Sequence, residues 1–302
     1  MRHIAFPIYL SLLLYACGDG SPASPDSGPT PDAPPGVARP TLGGVTVSEV
    51  RGGDGSQAFA YGQIGAVFYE GDGPRWHRET MRDGTCALRT YTPSSCTPAC
   101  TDGLCVSGVC QPFPRRVSAG RLTINGLAVP VSITPTDGFY EQPSIPEELF
   151  GDTASVSAQL AGGTVPAMTL SSRGVPRLAT AITGGKIAVA NPAGQPFALR
   201  WTPSNDADAR IRVTLNANNQ GHGMPYLAIL ECDAPDSAGV IDIPAALLDA
   251  FPETMAWQIC AGTDCPFSSI RRYHRSTHAV GDKDVELVIA SEQLFGIDHP
   301  GP

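Results

Sequence analysis

The chain has 302 residues and a formal net charge of −9 at pH 7, with 20 Lys and Arg against 29 Asp and Glu. An acidic chain binds nucleic acid and anionic surfaces poorly, so we expect no nucleic-acid partner. Gly and Pro are abundant, at 33 and 29 residues, and charged residues make up only 16%. This composition is typical of short strands joined by turns, and it favours an all-β fold.

The first 16 residues have the form of a signal peptide. Residues 1–3 are a short basic start, and residues 4–16 are apolar and uncharged. The apolar run of about 13 residues is shorter than the roughly 20 that a helix needs to span a bilayer. We therefore expect residues 1–16 to be removed before Cys17. An ordinary secretory signal and an uncleaved anchor are the alternatives.

Residues 17–41 are rich in Pro, Ser, Gly and Asp and contain almost no large apolar side chain. Such a segment cannot bury enough surface to offset its chain entropy, so we expect a disordered tether. Its prolines favour extended polyproline II at about 3.1 Å per residue, which gives a reach of up to roughly 70 Å.

The remaining chain reads as two β-sandwich units, residues 42–190 with a Cys-rich insertion at 86–112, and residues 191–302. Alternating or continuously apolar runs with the length of strands occur at 45–47, 66–69, 122–124, 129–133, 155–160, 197–201, 211–215, 226–230 and 285–289. The best helix candidate is the short run at 244–251, because Pro244 suits a first helical turn and Pro252 prevents continuation.

Nine cysteines are present, and eight remain when Cys17 is set aside. Within residues 96–110 the cysteines are separated by three, four and four residues, unlike the paired C-x2-C of a zinc ribbon, so we expect disulfides and no metal. Five of the eight lie at 86–110 and three at 232–265. Both counts are odd. Either at least one disulfide joins the two halves, or each half keeps at least one free thiol.

A weak internal repeat bears on this pairing. Residues 145–150 resemble 243–248, and 159–166 resemble 258–266, which predicts a short helix followed by a hairpin in both copies. Cys260 and Cys265 lie at the two ends of the second hairpin, so we expect them to pair. Cys232 then remains for a disulfide between the two halves, and its partner is Cys86 when the four cysteines of 96–110 pair among themselves.

The sequence contains no catalytic signature such as G-x-S-x-G, H-E-x-x-H or a phosphate-binding loop, so we expect a protein that is not an enzyme and has no cofactor. The basic segment 271–278 carries candidate binding residues: Arg271, Arg272, His274 and His278. The two histidines share a face of a strand and could hold a metal ion together, but no third ligand is evident, so we interpret the segment as a solvated edge. The segment could also meet an acidic partner or a carboxylate-bearing glycan.

Other polar and aromatic residues carry weaker hypotheses. Trp76 lies in a polar run and could be exposed as a platform for sugar stacking, whereas Trp201 and Trp257 lie in strand-like runs and are expected in the core. The acidic residues of 205–208 lack a calcium-loop pattern, so we interpret them as solvated turn residues.

Leu14, Ala16 and Cys17 resemble the lipobox of bacterial lipoproteins, in which the cysteine is lipidated; Tyr15 is bulkier than usual there. Together with the tether, the Cys-rich segment and sandwich-like stretches at 197–213 and 229–248, the chain resembles predicted surface lipoproteins of GC-rich Gram-negative bacteria. The Cys-rich segment is similar to a small EGF-like knuckle, which implies the crossed pairing Cys96–Cys105 and Cys100–Cys110. The sandwich units resemble immunoglobulin-like modules.

This resemblance implies lipidation of Cys17 and attachment to a membrane through that lipid. Gly18 stands where an aspartate would resemble an inner-membrane retention signal, so we expect the outer membrane, with exposure at the cell surface an open alternative. The expected role is non-enzymatic: surface display, adhesion or ligand binding, with an envelope protein or glycan as partner. The alternatives are a metal- or glycan-dependent binder or hydrolase that uses segment 271–278, and a structural subunit of an envelope complex.

Overall fold

The computed structural model describes residues 39–301, apart from 54, 56–57, 72–75, 93, 142–144, 184, 190–193, 218–224 and 255–266. From Arg39 onward the chain forms one compact unit. The described residues confirm the all-β class. The strands are β1 (Thr41–Gly52), β2 (Phe59–Phe68), β3 (Arg78–Asp83), β4 (Cys86–Thr90), β5 (Gly103–Val106), β6 (Val109–Pro112), β7 (Leu122–Asn125), β8 (Val131–Ile133), β9 (Ser155–Leu160), β10 (Met168–Arg173), β11 (Lys186–Ala188), β12 (Phe197–Arg200), β13 (Arg210–Asn216), β14 (Ala228–Pro235), β15 (Val240–Ile243), β16 (Ser268–Val280) and β17 (Lys283–Asp298).

One large sheet runs through the whole molecule, with the strand order β2-β1-β17-β16-β13-β14-β4-β3 and with β11 paired to the end of β17. The first strand lies beside the last: β1 and β17 are parallel, from Thr41 opposite Asp284 to Arg51 opposite Gln293. The hairpin of β16 and β17 is the longest pairing, with 13 and 16 residues in its two strands. It therefore forms the spine of the fold.

Two smaller sheets cover one face of this large sheet. The four-stranded sheet β10-β9-β7-β8 packs over one end, and the pair β12 and β15 lies over the other end. The alternation of buried and less buried residues in β13, where Ile211, Val213 and Leu215 are fully buried, is the pattern of a strand with one covered face. Each end of the large sheet is thus one half of a sandwich.

The first apolar core lies between β1, β2 and the start of β17 on one side and the four-stranded sheet on the other. Its residues include Val47, Phe68, Leu122, Val156 and Leu287. Burial of a side chain of this size stabilises the fold by about 1.5–3 kcal/mol. Tight sheet packing also explains Gly126, which has a φ of +85° and whose Cβ would lie 1.9 Å from the carbonyl oxygen of Ser155.

The second apolar core lies between β4, β13, β14 and the end of β17 on one side and β12, β15 and the helix α1 (Ala245–Asp249) on the other. It includes Trp201, Val213 in the middle of β13, and the aromatic side chains of Phe251 and Phe295. The expectation that Trp201 belongs to the core is confirmed, since the residue is 6% exposed and its indole N–H donates to the carbonyl of Asp236 at 2.8 Å.

The sequence predicts one sandwich unit before residue 190 and another after it, and this division is wrong. Each sandwich contains strands from both halves of the chain. β1 and β4 come from the first half of the chain, but they pair with β17 and β14 from the second half. The physical reason is the length of β17. Leu287 packs in the first core and Phe295 in the second, so one strand serves both sandwiches.

The described residues contain three disulfides, Cys86–Cys232, Cys96–Cys105 and Cys100–Cys110, which are the pairings expected for these six cysteines. Cys86 lies opposite Cys232 in the pairing of β4 with β14, so this disulfide is part of the large sheet. The Cys-rich insertion therefore begins after β4 and not at residue 86. Its own hairpin, β5 with β6, holds Cys105 and Cys110 opposite each other.

The helix expected at 244–251 is present as α1, with Leu247 and Leu248 fully buried. The first copy of the proposed repeat differs, because the described residues 145–150 contain no helix. In the described part of the chain, no helix has the length and apolar character required to cross a membrane.

Candidate functional site

The basic segment 271–278 lies in β16, and its two halves differ. Residues 271–273 pair with both β13 and β17, whereas residues 275–278 pair with β17 and are mostly exposed, so the predicted solvated edge is confirmed only for the second half. Because successive side chains of a strand point to opposite faces, Arg271 lies on the outer face and Arg272 and His274 lie on the covered face. Arg272 is 2% exposed and His274 is 6% exposed. The sequence pattern alone could not show this burial, because the covering groups come from distant parts of the chain.

Arg272 is held by a complete set of partners between the two apolar cores. Its Nε and Nη2 lie 3.0 and 2.9 Å from Oδ1 of Asp236, which is fully buried. Nη1 donates to the carbonyls of Pro176 and Arg177 at 3.1 and 2.9 Å, and Nη2 donates to the carbonyl of Thr202 at 2.6 Å. All five guanidinium hydrogens are thereby used, so we assign Arg272 a structural role and no ligand contact.

His274 lies beside Asp206, for which the sequence predicts a solvated turn. The imidazole Nε2 is 3.0 Å from Oδ2 of Asp206, and the two side chains are only 6% and 4% exposed. Neither atom has an aligned hydrogen-bond partner, so the carboxylate oxygen approaches the ring nitrogen away from the axis along which a hydrogen bond would form. The other ring nitrogen, Nδ1, lies 3.2 Å from the carbonyl oxygen of Arg173.

Arg173 joins this pair to the surface. Its Nη2 lies 2.8 Å from Oδ1 of Asp206 and 2.7 Å from Oδ2 of Asp208. Asp208 is exposed, and its backbone N–H donates to Oδ1 of Asp206 at 3.2 Å. One oxygen of the Asp206 carboxylate is therefore fixed by two donors, while the other faces His274.

Two open clefts meet this cluster. One has a volume of about 380 Å³ and is lined by Ser172, Arg173, His274 and Ser276 among others. The second has a volume of about 610 Å³ and is lined by Asp206, Asp208 and the loop around Pro203. Ser276 Oγ is buried and has no hydrogen-bond partner. The cluster therefore places buried, unpaired polar atoms next to two solvent-filled clefts.

His278 does not join His274. It is exposed near the end of β16, and the described residues contain no group of three or more His, Cys, Asp and Glu side chains arranged around a metal ion. The hypothesis that His274 and His278 bind one ion together is therefore not supported by the geometry. The neighbouring Arg275 is paired with Glu286 across β16 and β17 at 2.5 Å.

Trp76 is only partly exposed. Its ring meets the edge of Phe113 at a centroid distance of 5.7 Å, so it packs against the Cys-rich insertion. A different set of aromatic side chains is exposed on the outer face of the large sheet. Phe59 stacks with Tyr61 at 6.0 Å and meets Phe267 edge-on at 6.2 Å, and Tyr61 and Phe267 are 40% and 41% exposed.

We call Phe59, Tyr61 and Phe267 the aromatic row. Tyr61, Val50, Glu292 and Arg271 lie directly opposite one another across β2, β1, β17 and β16, so the row is flanked by charged groups on the same face. Burial, and secondly the charge of Glu292, raises the pKa of Tyr61. The alternation of side chains along β2 predicts that Phe59 and Tyr61 share a face of the strand. The position of Phe267 beside them depends on the tertiary fold and has no signal in the local sequence.

The remaining predictions concern Cys17, Cys260, Cys265 and Trp257. All four residues lie outside the described part of the chain. No family model, curated protein or solved structure matches the chain.

Proposed function

We propose that this chain is a lipid-anchored protein of the bacterial cell envelope, and that its all-β domain displays a binding surface without catalysing a reaction. The observation that carries the proposal is the lipobox-like sequence before Cys17, followed by a Pro-rich tether. The three disulfides support it, because disulfides form and persist in oxidising compartments outside the cytoplasm.

The buried polar groups support a structural use of most of segment 271–278. All guanidinium N–H groups of Arg272 donate to Asp236 or to backbone carbonyls. The ring nitrogens of His274 lie beside the carbonyl of Arg173 and the carboxylate of Asp206. A general base or nucleophile needs a free atom directed at a substrate. Arg272 has no free donor, and Nε2 of His274 is directed into the protein beside the Asp206 carboxylate.

The anchor is tested by expressing the full chain in a Gram-negative host that is fed an alkyne-tagged palmitate analogue. We expect label on the wild-type chain and none on the variant Cys17→Ser, because only a thiol at this position accepts the lipid. Cys96→Ser is the matched control and should retain the label. Equal labelling of the wild type and Cys17→Ser would refute the proposal.

The same expression system tests the membrane. Fractionation should place the wild-type chain in the outer membrane, and Gly18→Asp should shift it to the inner membrane. Recovery of the wild type in the inner-membrane fraction would contradict the proposed location.

We further propose that the aromatic row contacts a glycan. Its exposed rings offer flat apolar faces, and the neighbouring Glu292 and Arg271 supply an acceptor and donors for sugar hydroxyls. This is the combination of apolar surface with a few polar groups that small-molecule sites use. The tether reach of roughly 70 Å allows contact with the cell wall from a membrane anchor.

The glycan is tested by co-sedimentation of the purified chain with peptidoglycan sacculi. We expect Tyr61→Ala and Phe267→Ala to weaken binding by 10-fold or more. Phe139→Ala is the matched control, because Phe139 is 55% exposed but lies under Arg116, away from the row. If Tyr61→Ala and Phe267→Ala both bound sacculi as the wild type does, the proposal that the aromatic row contacts a glycan would be refuted.

A further inference from the structure

The unpaired buried polar atoms of the molecule concentrate at one place. Among the described residues, four buried side-chain atoms lack a hydrogen-bond partner, and two of them, Asp206 Oδ2 and His274 Nε2, face each other at 3.0 Å. A third, Ser276 Oγ, lines the same cleft as His274. Since buried polar atoms are almost always paired, this concentration requires an explanation.

The hydrogen bonds of His274 define which of its nitrogens carries hydrogen. Nδ1 lies 3.2 Å from the carbonyl oxygen of Arg173, and a carbonyl only accepts, so Nδ1 is the donor. In the neutral ring, Nε2 then carries a lone pair, and Oδ2 of Asp206 lies 3.0 Å from this nitrogen but off the lone-pair axis. Two acceptors at this distance attract each other only when a cation lies between them.

The alignment of the two atoms distinguishes the kinds of cation. A shared proton would place Oδ2 on the axis of the Nε2 lone pair, and the structure places it off that axis. A metal ion bound at about 2.0–2.1 Å from both atoms would hold them roughly 2.9 Å apart at the right angle of octahedral coordination, and roughly 3.3 Å apart at the tetrahedral angle usual for Zn²⁺. The observed 3.0 Å lies between these two separations, as expected for two adjacent ligands of one ion.

The surroundings already fix both ligands in place. A metal-bound histidine usually donates its second ring N–H to a carbonyl or carboxylate, as Nδ1 of His274 does to Arg173. Oδ1 of Asp206 is held by Nη2 of Arg173 at 2.8 Å and by the N–H of Asp208 at 3.2 Å. His274 lines one open cleft together with Ser172 and Ser276, and Asp206 lines the neighbouring one, so the two ligand residues lie between two solvent-filled clefts.

We propose that His274 Nε2 and Asp206 Oδ2 bind a divalent transition-metal ion such as Zn²⁺, with water as the remaining ligands. An imidazole and a carboxylate are a ligand pair that suits this class of ion. The site joins β16 to the loop that follows β12, so the bound ion connects the large sheet to the layer that covers it.

The experiment is a titration of the metal-free full chain with Zn²⁺, followed by calorimetry and by the thermal unfolding midpoint. We expect saturable binding at one site, and a midpoint that rises with the logarithm of free Zn²⁺ because the ion binds only the folded chain. His274→Ala should weaken this binding by 10-fold or more. The matched control His278→Ala removes an exposed histidine four residues away and should bind like the wild type.

Asp206→Asn separates metal binding from folding. The amide keeps an oxygen for Arg173 and can turn an N–H donor towards Nε2 of His274, so the metal-free variant should unfold at or above the wild-type temperature. Its unfolding midpoint should no longer respond to Zn²⁺. Equal binding by the wild type, His274→Ala and Asp206→Asn would overturn the proposal. Absence of saturable binding to the wild type would also overturn it.

Discussion

Arg272 and Asp236 form an ion pair between the two apolar cores, and their side chains are only 2% and 0% exposed. The pair connects β16 to the turn after β14, and Nη1 of Arg272 donates to the chain segment that passes between the sandwiches at Pro176 and Arg177. One side chain thus holds three parts of the molecule together.

We predict that Arg272→Ala destabilises the fold by about 3–5 kcal/mol, because it leaves the Asp236 carboxylate buried without its counter-charge. Urea unfolding followed by circular dichroism measures the change. The matched control is Arg275→Ala, on the same strand, whose ion pair with Glu286 is 44% and 27% exposed and should contribute about 0–1 kcal/mol. If the two variants lost similar amounts of unfolding free energy, the buried ion pair would contribute no more to stability than the exposed one, which contradicts the prediction.

The Cys86–Cys232 disulfide closes a loop of 146 residues, compared with 10 for Cys100–Cys110. Since a cross-link removes more entropy from the unfolded chain when its loop is longer, the entropic limits are about 5 and about 3 kcal/mol. We predict that Cys86→Ala with Cys232→Ala destabilises the chain more than Cys100→Ala with Cys110→Ala. Unfolding without reductant tests the order of the two losses, and the reverse order would contradict the prediction.

Local sequence was sufficient for the fold class and for α1. The residues of β13 alternate between apolar and polar, and Pro244 and Pro252 bracket the helix, so both features depend on neighbours in sequence. The odd number of cysteines in each half restricts the possible disulfide partners of Cys86, but it also allows free thiols. The pairing of β4 with β14, which places Cys86 opposite Cys232, decides between these alternatives for the two cysteines.

Long-range pairing was not predictable in this way. β1 lies beside β17 although the two strands stand at opposite ends of the described chain, and no local pattern encodes that contact. The candidate site was missed for the same reason. Arg272 and His274 read as solvated because their partners Asp236 and Arg173 lie 36 and 101 residues away. Their sequence context shows charge, whereas burial depends on what covers the strand.

Tyr140 fastens a turn in the first sandwich. Its hydroxyl oxygen accepts from the N–H of Ala119 and its O–H donates to the carbonyl of Gly120, both at 2.9 Å. Tyr140→Phe leaves both backbone groups without this partner, so we predict a loss of about 1–3 kcal/mol in unfolding free energy. Tyr61→Phe is the control, since that ring is 40% exposed and its change should be small. A loss no larger than the control would refute the role of the hydroxyl.

His77 gives a prediction that depends on pH. It is partly buried, and its Nε2–H donates to the carbonyl of Tyr226 at 2.7 Å. Burial, and more weakly the charge of Arg89, lowers the pKa of His77 below its ordinary 6.5, although the bond to Tyr226 and the charge of Glu231 act in the opposite direction. The folded state therefore favours the neutral ring. The stability that this contributes is present above pH 6.5 and is lost as the pH falls through the folded-state pKa.

We predict that the urea midpoint of the wild type falls more between pH 7.5 and pH 5 than that of His77→Gln, whose amide can still donate to Tyr226 but cannot gain charge. His278→Gln is the matched control, because it removes an exposed histidine and should follow the wild type. Proton NMR gives an independent measurement through the ring signal that His77→Gln lacks. A titration midpoint for that signal at or above 6.5 would contradict the direction of the shift, since burial could then not be the dominant effect.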